Sequence, residues 1–411
     1  MKVPYSWLAE WTQLPWKPAE LGTRLTMTGF EVESLEPAAP SFSGVVVAEI
    51  LAAEPHPQAE KLQVCRVSTG NGPPLQIVCG ARNARTGLKS ALALVGAHLP
   101  GDVTIGAAKL RGVESHGMLA SARELGLAEA SSGILELPAD APPGVALREY
   151  LHLDEVVLDL NITPNRGDAM SVLGVAREVA ALTGRGLTGP AIAPPRACAA
   201  DTFPVRLAAP AACPRFAGCV LRGIDNRAAT PLWMRERLRR AGLRSITPVV
   251  DVTNYVMLEL GQPMHAYDLG KLQGGIAVRL ARAGEALTLI DGKPVSADAD
   301  VLLITDGDGA IGLGAGLLEG VRRIAVAAEA DPERGRGRAG ARRGATRARL
   351  DPAAADGLER RPGDRIARPV RADRRRRPGR SRLYREHECG HCRDDRRASL
   401  RASHVVSPSH R

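Results

Sequence analysis

The residues best suited to chemistry lie in one run, VVDVTNYVMLELGQPMHAYD, from Val249 to Asp268. Among apolar neighbours it carries Thr253, Asn254, Gln262 and His265. A hydroxyl, two amides and an imidazole, with no charged partner beside them, suit a pocket for a polar, uncharged substrate. They suit equally a core whose side chains only satisfy one another. A lone histidine on an apolar face is by default a core residue, and Thr253 and Asn254 are ordinary turn or cap residues.

Other candidates are weaker. His387, Cys389, His391 and Cys392 offer zinc-type ligands, but four such ligands within six residues do not easily reach one tetrahedral ion. No metal site is therefore expected. The run Arg374–Arg377 would bind phosphates without selectivity, and reads as a solvated tail. Lys61, Arg82, Lys89, Lys109 and Arg111 could line a groove for an RNA backbone. Residues 39–148 nevertheless hold nine basic and nine acidic residues, so attraction there must come from local arrangement. There is no Gly-rich phosphate loop with its lysine.

Elements must hold these residues in place. A chain of 411 residues allows two or three domains. No apolar run reaches the roughly 18 residues that span a bilayer, and the start MKVPYSWLAEWTQLPWKP lacks the apolar stretch of a signal peptide. A folded, cytoplasmic start is expected. Seven scattered cysteines suggest reduced thiols rather than a disulfide framework. The net charge of +10 is misleading as a guide to partners. Residues 321–411 contain 26 Arg, no Lys and 12 acids, a net of +14, so residues 1–320 carry −4.

Residues 1–38 read as a helix, with Trp7 and Trp11 on one face, followed by a strand. Residues 39–148 form short β-prone runs separated by Gly, Pro and Asn, the texture of a five-stranded barrel of the oligonucleotide-binding (OB-fold) type. In residues 150–190 a strand, a turn and a helix follow, with Asp168 placed to cap the helix and Val172, Val175, Ala176 and Val179 as its apolar stripe. Residues 191–201 are a Pro/Ala linker. Residues 202–313 mix strands with an amphipathic helix, PLWMRERLRRAGL. Residues 314–411, rich in Arg, Ala, Gly, Pro and Asp, have almost no periodic apolar face and are expected to be disordered.

Together these runs resemble one family, the beta subunit of bacterial phenylalanine–tRNA ligase. KVPYSWLAEW and LTMTGFEVE are similar to its start. HPQAEKLQVCRVSTG, QIVCGARNARTG, LRGVESHGMLASARELGL and SSGILELP resemble its tRNA-binding barrel. RLRRAGLRSITPVVDVTNYVMLELGQPMHAYD resembles its editing domain. The resemblance covers residues 1 to about 313. It implies an α+β multidomain chain: an OB-fold barrel inserted in a small α+β domain (1–38 with 150–190), then an incomplete α/β editing domain of the B3/B4 type.

The resemblance also implies function. The family attaches phenylalanine to tRNA(Phe) as an α₂β₂ complex with ATP and Mg²⁺. That synthesis belongs to the alpha subunit, with the beta subunit's C-terminal region aiding assembly, and none of these cofactors is expected on this chain. The editing pocket hydrolyses tyrosine wrongly attached to tRNA(Phe). By position His265 would sit at the reacting ester or its water, Asn254 and Thr253 would shape the pocket, and Arg244 would hold the tRNA 3′ end. The match stops near Leu313, where a reading-frame shift is inferred. The family's later pocket residues then fall outside the match, and editing turnover below the family's is expected. The alternative is a stand-alone OB-fold tRNA-binding module without enzymatic activity.

Overall fold

The structure is a computed structural model, and it describes residues 1–193, 202–289, 292–314, 323–330 and 401–405. The chain opens with β1 (Lys2–Pro4), α1 (Tyr5–Ala9), α2 (Pro18–Met27) and β2 (Glu31–Pro37). Pro18 starts α2 at a position where no amide hydrogen is needed.

The next unit contains β3 (Ser43–His56), β4 (Ala59–Ser68), β5 (Leu75–Cys79), β6 (Lys89–Leu99), β7 (Val103–Thr104), β8 (Ala108–Leu110), β9 (Val113–Ser115), β10 (Met118–Ala120) and β11 (Glu136–Leu137). Seven of these strands form one sheet with the path β10-β6-β3-β4-β5, β7 and β11 also pairing with β6; β8 and β9 form a separate hairpin. The alternation along β3 serves two cores. Val45 and Val47 pack with Phe42, Leu125 and Leu153, whereas Ala48 and Ile50 pack with Cys65, Ile77 and Leu92.

A closed five-stranded barrel is not what the ladder shows. The path is open between β5 and β10. Three hydrogen bonds outside any ladder span the gap: the His116 amide donates to the Gln76 carbonyl (2.9 Å), the Gln76 side-chain amide donates to the Glu114 carbonyl (2.8 Å), and the Val78 amide donates to the Ser115 hydroxyl (3.0 Å). Gly117, at φ +138°, turns the chain so sharply that β10 pairs with β6 instead. A Cβ there would lie 2.6 Å from the Ala93 carbonyl oxygen.

The chain then returns to the first unit through α3 (Leu147–Tyr150), β12 (Val156–Asn161) and α4 (Val172–Thr183). β12 lies between β1 and β2, antiparallel to both. The predicted stripe of α4 is buried against Trp7, Leu21, Leu25 and Phe30. Its cap is Ser171, whose hydroxyl accepts from the Gly174 amide at 2.9 Å, and not Asp168. A 3₁₀ turn over Pro164–Ala169 intervenes, and Asp168 there pairs with Arg166 at 3.1 Å. The Thr188 amide donates to the Trp11 carbonyl at 2.9 Å, and Gly189 follows close against the Trp11 ring. A Cβ at 189 would approach that ring to 2.1 Å.

The last unit comprises β13 (Val205–Leu207), β14 (Phe216–Ile224), α5 (Leu232–Arg240), α6 (Pro248–Leu260), β15 (Met264–Asp268), β16 (Ile276–Leu280), β17 (Glu285–Thr288), β18 (Pro294–Ala297), β19 (Leu302–Thr305), β20 (Ala310–Leu313), β21 (Arg323–Ala330) and β22 (Arg401–Val405). One sheet runs β13-β16-β19-β20 and another β15-β21-β14-β22; β17 and β18 pair alone. Two strands thus fall in the stretch expected to be disordered. The run RIAVAAEA is locally apolar enough to pair in parallel with both β14 and β15, a feature hidden when composition is averaged over the tail. The cysteine–histidine cluster at 387–392, the Arg374–Arg377 run and most of the linker lie outside the described residues.

Candidate functional site

The opening run folds as helix then strand. Pro248 sits at the first turn of α6, and Gly261, at φ +73°, ends it in the left-handed conformation that favours glycine. The chain then enters β15, where His265 is half-buried. Its ring lies nearly parallel to that of Tyr267, with centroids 6.1 Å apart and planes at 20°. β15 packs on α6, which carries Thr253 and Asn254, both half-buried. The Thr253 hydroxyl donates to the Val250 carbonyl at 2.8 Å, so its free lone pairs make it an acceptor to any other group.

Asp251 is the best-held polar group of this region. Its side chain is fully buried and accepts from Thr230 (2.5 Å), Ser245 (2.5 Å) and the Ile246 amide (2.8 Å). It pins the turn 242–247 to α6, which fixes Arg244 at an exposed position beside the helix. Sequence reading passed it over, because an aspartate in a helical first turn is unremarkable.

Farther along α6, on the face that carries Asp251, the helix joins the first unit. Tyr255 accepts from Arg237 (2.8 Å) and donates to Glu259 (2.9 Å), which also accepts from the Trp7 indole (3.1 Å). Burial pushes the Tyr255 hydroxyl up to about 12. The arginines of α5 point into this junction. Arg237 bonds to Glu10, Arg239 to the Ala38 carbonyl (2.7 Å), and Arg240 to Glu155 and to the Leu151 carbonyl (2.5 Å).

The predicted RNA-contacting cations divide into two groups. Lys61, Arg82, Lys109 and Arg111 are exposed. Lys109 and Arg111 belong to the β8–β9 hairpin, whose tip turns through Arg111 (φ +46°) and Gly112 (φ +87°), the two-residue turn that matches strand twist. His56 ties this hairpin to the β3–β4 turn: its Nδ1 accepts from the Gln58 amide (3.1 Å) and its Nε2 meets the Leu110 carbonyl (3.1 Å). Lys61, just past that turn, therefore flanks the hairpin. Arg82 follows β5, the neighbour of β4. Lys89 differs. It is half-buried in β6 and donates to the Ala141 carbonyl at 2.8 Å, a structural bond. Among the described residues no group of three or more His, Cys, Asp or Glu is arranged to hold a metal ion. No helix among them is long and apolar enough to cross a membrane.

Comparison with known proteins locates these features in a family. Residues 45–146 match the family described as "Putative tRNA binding domain", and residues 212–325 match "B3/4 domain", which runs past Leu313. The phenylalanine–tRNA ligase beta subunit of Dickeya dadantii is 54% identical over 314 residues, 76% of this chain and 40% of that protein. Proteins of the same name from Nitrosococcus oceani (54% over 320 residues, 78% and 40%) and Methylococcus capsulatus (52% over 331 residues, 80% and 42%) agree. The chain spans about two fifths of the length of these relatives. Over the matched residues it is a homologue of the phenylalanine–tRNA ligase beta subunits, carrying a tRNA binding domain followed by a B3/4 domain.

Proposed function

We propose that this chain is the tRNA-binding and proofreading portion of a phenylalanine–tRNA ligase beta subunit. One observation carries the reading: both domains occur in order within a region 52–54% identical to proteins of that name. The sheet of residues 45–146 holds tRNA(Phe), with Lys61, Arg82, Lys109 and Arg111 on its phosphates and Lys89 contributing less. The alpha subunit joins it in an α₂β₂ complex in the cytoplasm and supplies the ATP- and Mg²⁺-dependent synthesis, in which the residues of this chain take no direct part.

The B3/4 domain removes tyrosine attached in error. A hydrophobic pocket rejects an isostere that merely adds a hydroxyl by only about a hundredfold, so a second, hydrolytic site is needed. His265 accepts the proton of a water whose oxygen bonds to the ester carbonyl carbon. As the ester bond breaks, that proton passes to the departing ribose oxygen. Asn254 and the Thr253 oxygen shape the pocket wall, and Arg244 holds the tRNA 3′ end.

The test uses the full chain with Tyr-tRNA(Phe). Salt-dependent binding is expected, with deacylation that is slow but above the buffer rate and lost in His265→Ala. Equal hydrolysis by wild type and variant would remove the editing role. Binding without any hydrolysis would favour a tRNA-binding module.

A further inference from the structure

An open cleft of about 800 Å³ lies where the three units meet, within the ~300–1,000 Å³ typical of small-ligand sites. One wall is the 122–135 stretch of the tRNA binding domain, with Leu127 and Leu135. The other is α5 and the turn after it, with Leu232, Arg235, Leu243 and Arg244. The lining holds four cations, adding Lys2 and Arg239, against the carboxylates of Glu129 and Glu236. Lys2 is paired with Glu36 (2.9 Å) and Arg239 with Glu236 (2.8 Å). Arg235 is different. Its Nε is closed to water and has no acceptor, so the two outer nitrogens of its fork are the ones that can meet a ligand in the cleft. Its charge reaches as far as Glu136, whose carboxyl is held below the usual range first by its bond to Arg85 and to a lesser degree by Arg235.

We infer that this cleft is a nucleotide site, in which Arg235 takes the phosphate and the leucine-lined walls take the sugar and base. A planar guanidinium fork matches phosphate oxygens geometrically, and apolar side chains opposite it exclude water from the contact. The cleft lies between a tRNA binding domain and a B3/4 domain, so an unpaired nucleotide of an RNA held on the first reaches it. The inference rests on the tRNA-binding reading. The nucleotide is either such an RNA residue or a free mononucleotide, which share the chemistry the cleft recognises.

The experiment titrates the full chain with labelled tRNA(Phe) across a salt series, and separately with AMP. Arg235→Gln is expected to weaken tRNA binding about fivefold to tenfold and to make the salt slope shallower by about one. Glu129→Gln, an exposed change in the lining that leaves folding intact, is expected to tighten binding about twofold. If AMP binds and Arg235→Gln abolishes that binding while tRNA affinity is unmoved, the site stands with a free nucleotide as its ligand. If neither variant alters tRNA or AMP binding, while Lys109→Ala/Arg111→Ala weakens tRNA binding, the cleft is overturned and the tRNA-binding reading survives. A wild-type chain that binds neither tRNA nor AMP overturns both.

Discussion

The indole of Trp7 lies against the phenol ring of Tyr255, centroids 5.0 Å apart and planes 20° from parallel. Trp233 meets the same phenol ring edge-on at 5.4 Å, and the Arg237 guanidinium lies over both indoles. The N-terminal strand–helix unit and the B3/4 domain are thus joined by an aromatic contact with a charge network at its edge. The arrangement combines area burial with the preferred geometry of aromatic pairs.

Trp7 is fully buried, so Trp7→Ala is expected to destabilise the chain by about 3–5 kcal/mol. With Tyr255→Ala in a double-mutant cycle, the coupling should be about 1 kcal/mol. Urea unfolding of the four proteins measures both, and strict additivity would mean that the stacking contributes nothing of its own.

The phenol of Tyr255 gives a pH dependence. Burial raises it to about 12; Arg237 opposes the shift and Glu259 adds to it. The folded value exceeds the unfolded one near 10. The stabilisation is therefore fully present below pH 10 and disappears as pH rises through 12. Thermal unfolding of Tyr255→Phe should fall less steeply between pH 10 and 12 than that of wild type.

Asp251 accepts from three donors in a site closed to water. Asp251→Ala leaves all three without an acceptor and should cost about 3 kcal/mol or more. Asp251→Asn should cost about 1–2 kcal/mol: its oxygen can still accept from the Ile246 amide and its amino group can donate to the rotated hydroxyls, but the charge assistance of the carboxylate is lost. The turn bearing Arg244 should loosen first, seen as faster amide exchange over residues 242–247. Unchanged exchange would mean that the carboxylate does not hold the turn.

The exposed hairpin and the buried lysine should separate cleanly. Lys109→Ala/Arg111→Ala is expected to weaken tRNA(Phe) binding and to make the salt slope shallower by about 1.5–2. Lys89→Met should leave the slope within experimental error and instead lower stability by about 1 kcal/mol through the lost Ala141 bond. The reverse outcome would move the RNA path to the β6 side of the sheet.

His265→Ala should slow deacylation of Tyr-tRNA(Phe) about a hundredfold or more, the usual share of one acid–base group, with tRNA affinity unchanged. A variant that loses affinity and rate together would make His265 a binding residue.

Local chemistry was legible before the fold was known; partners distant in sequence were not. The stripe of α4 read correctly because a helix face is set by neighbouring residues. The tRNA-binding unit read as short strands for the same reason. Its failure to close did not, since that depends on how Gly117 meets the Ala93 carbonyl across the sheet. Asp251 escaped notice because one of its acceptor bonds comes from Thr230 on a different segment. The helix PLWMRERLRRAGL was recognisably amphipathic, yet nothing in it says that Arg237 and Arg240 turn inward while Arg235 and Arg239 line a cleft. Lys89 looked like the other basic residues of its region because an alternating strand pattern cannot reveal that a carbonyl waits above one of them.

Arg237, Arg239 and Arg240 of α5 act as rivets. They grip Glu10, Ala38, Leu151 and Glu155, groups spread over three separate stretches of the N-terminal half. A protease that nicks the connection between Pro190 and Thr202 would cut the polypeptide without parting its halves. The two pieces would travel together through a sizing column and come apart only when denaturant or strong salt loosens those grips.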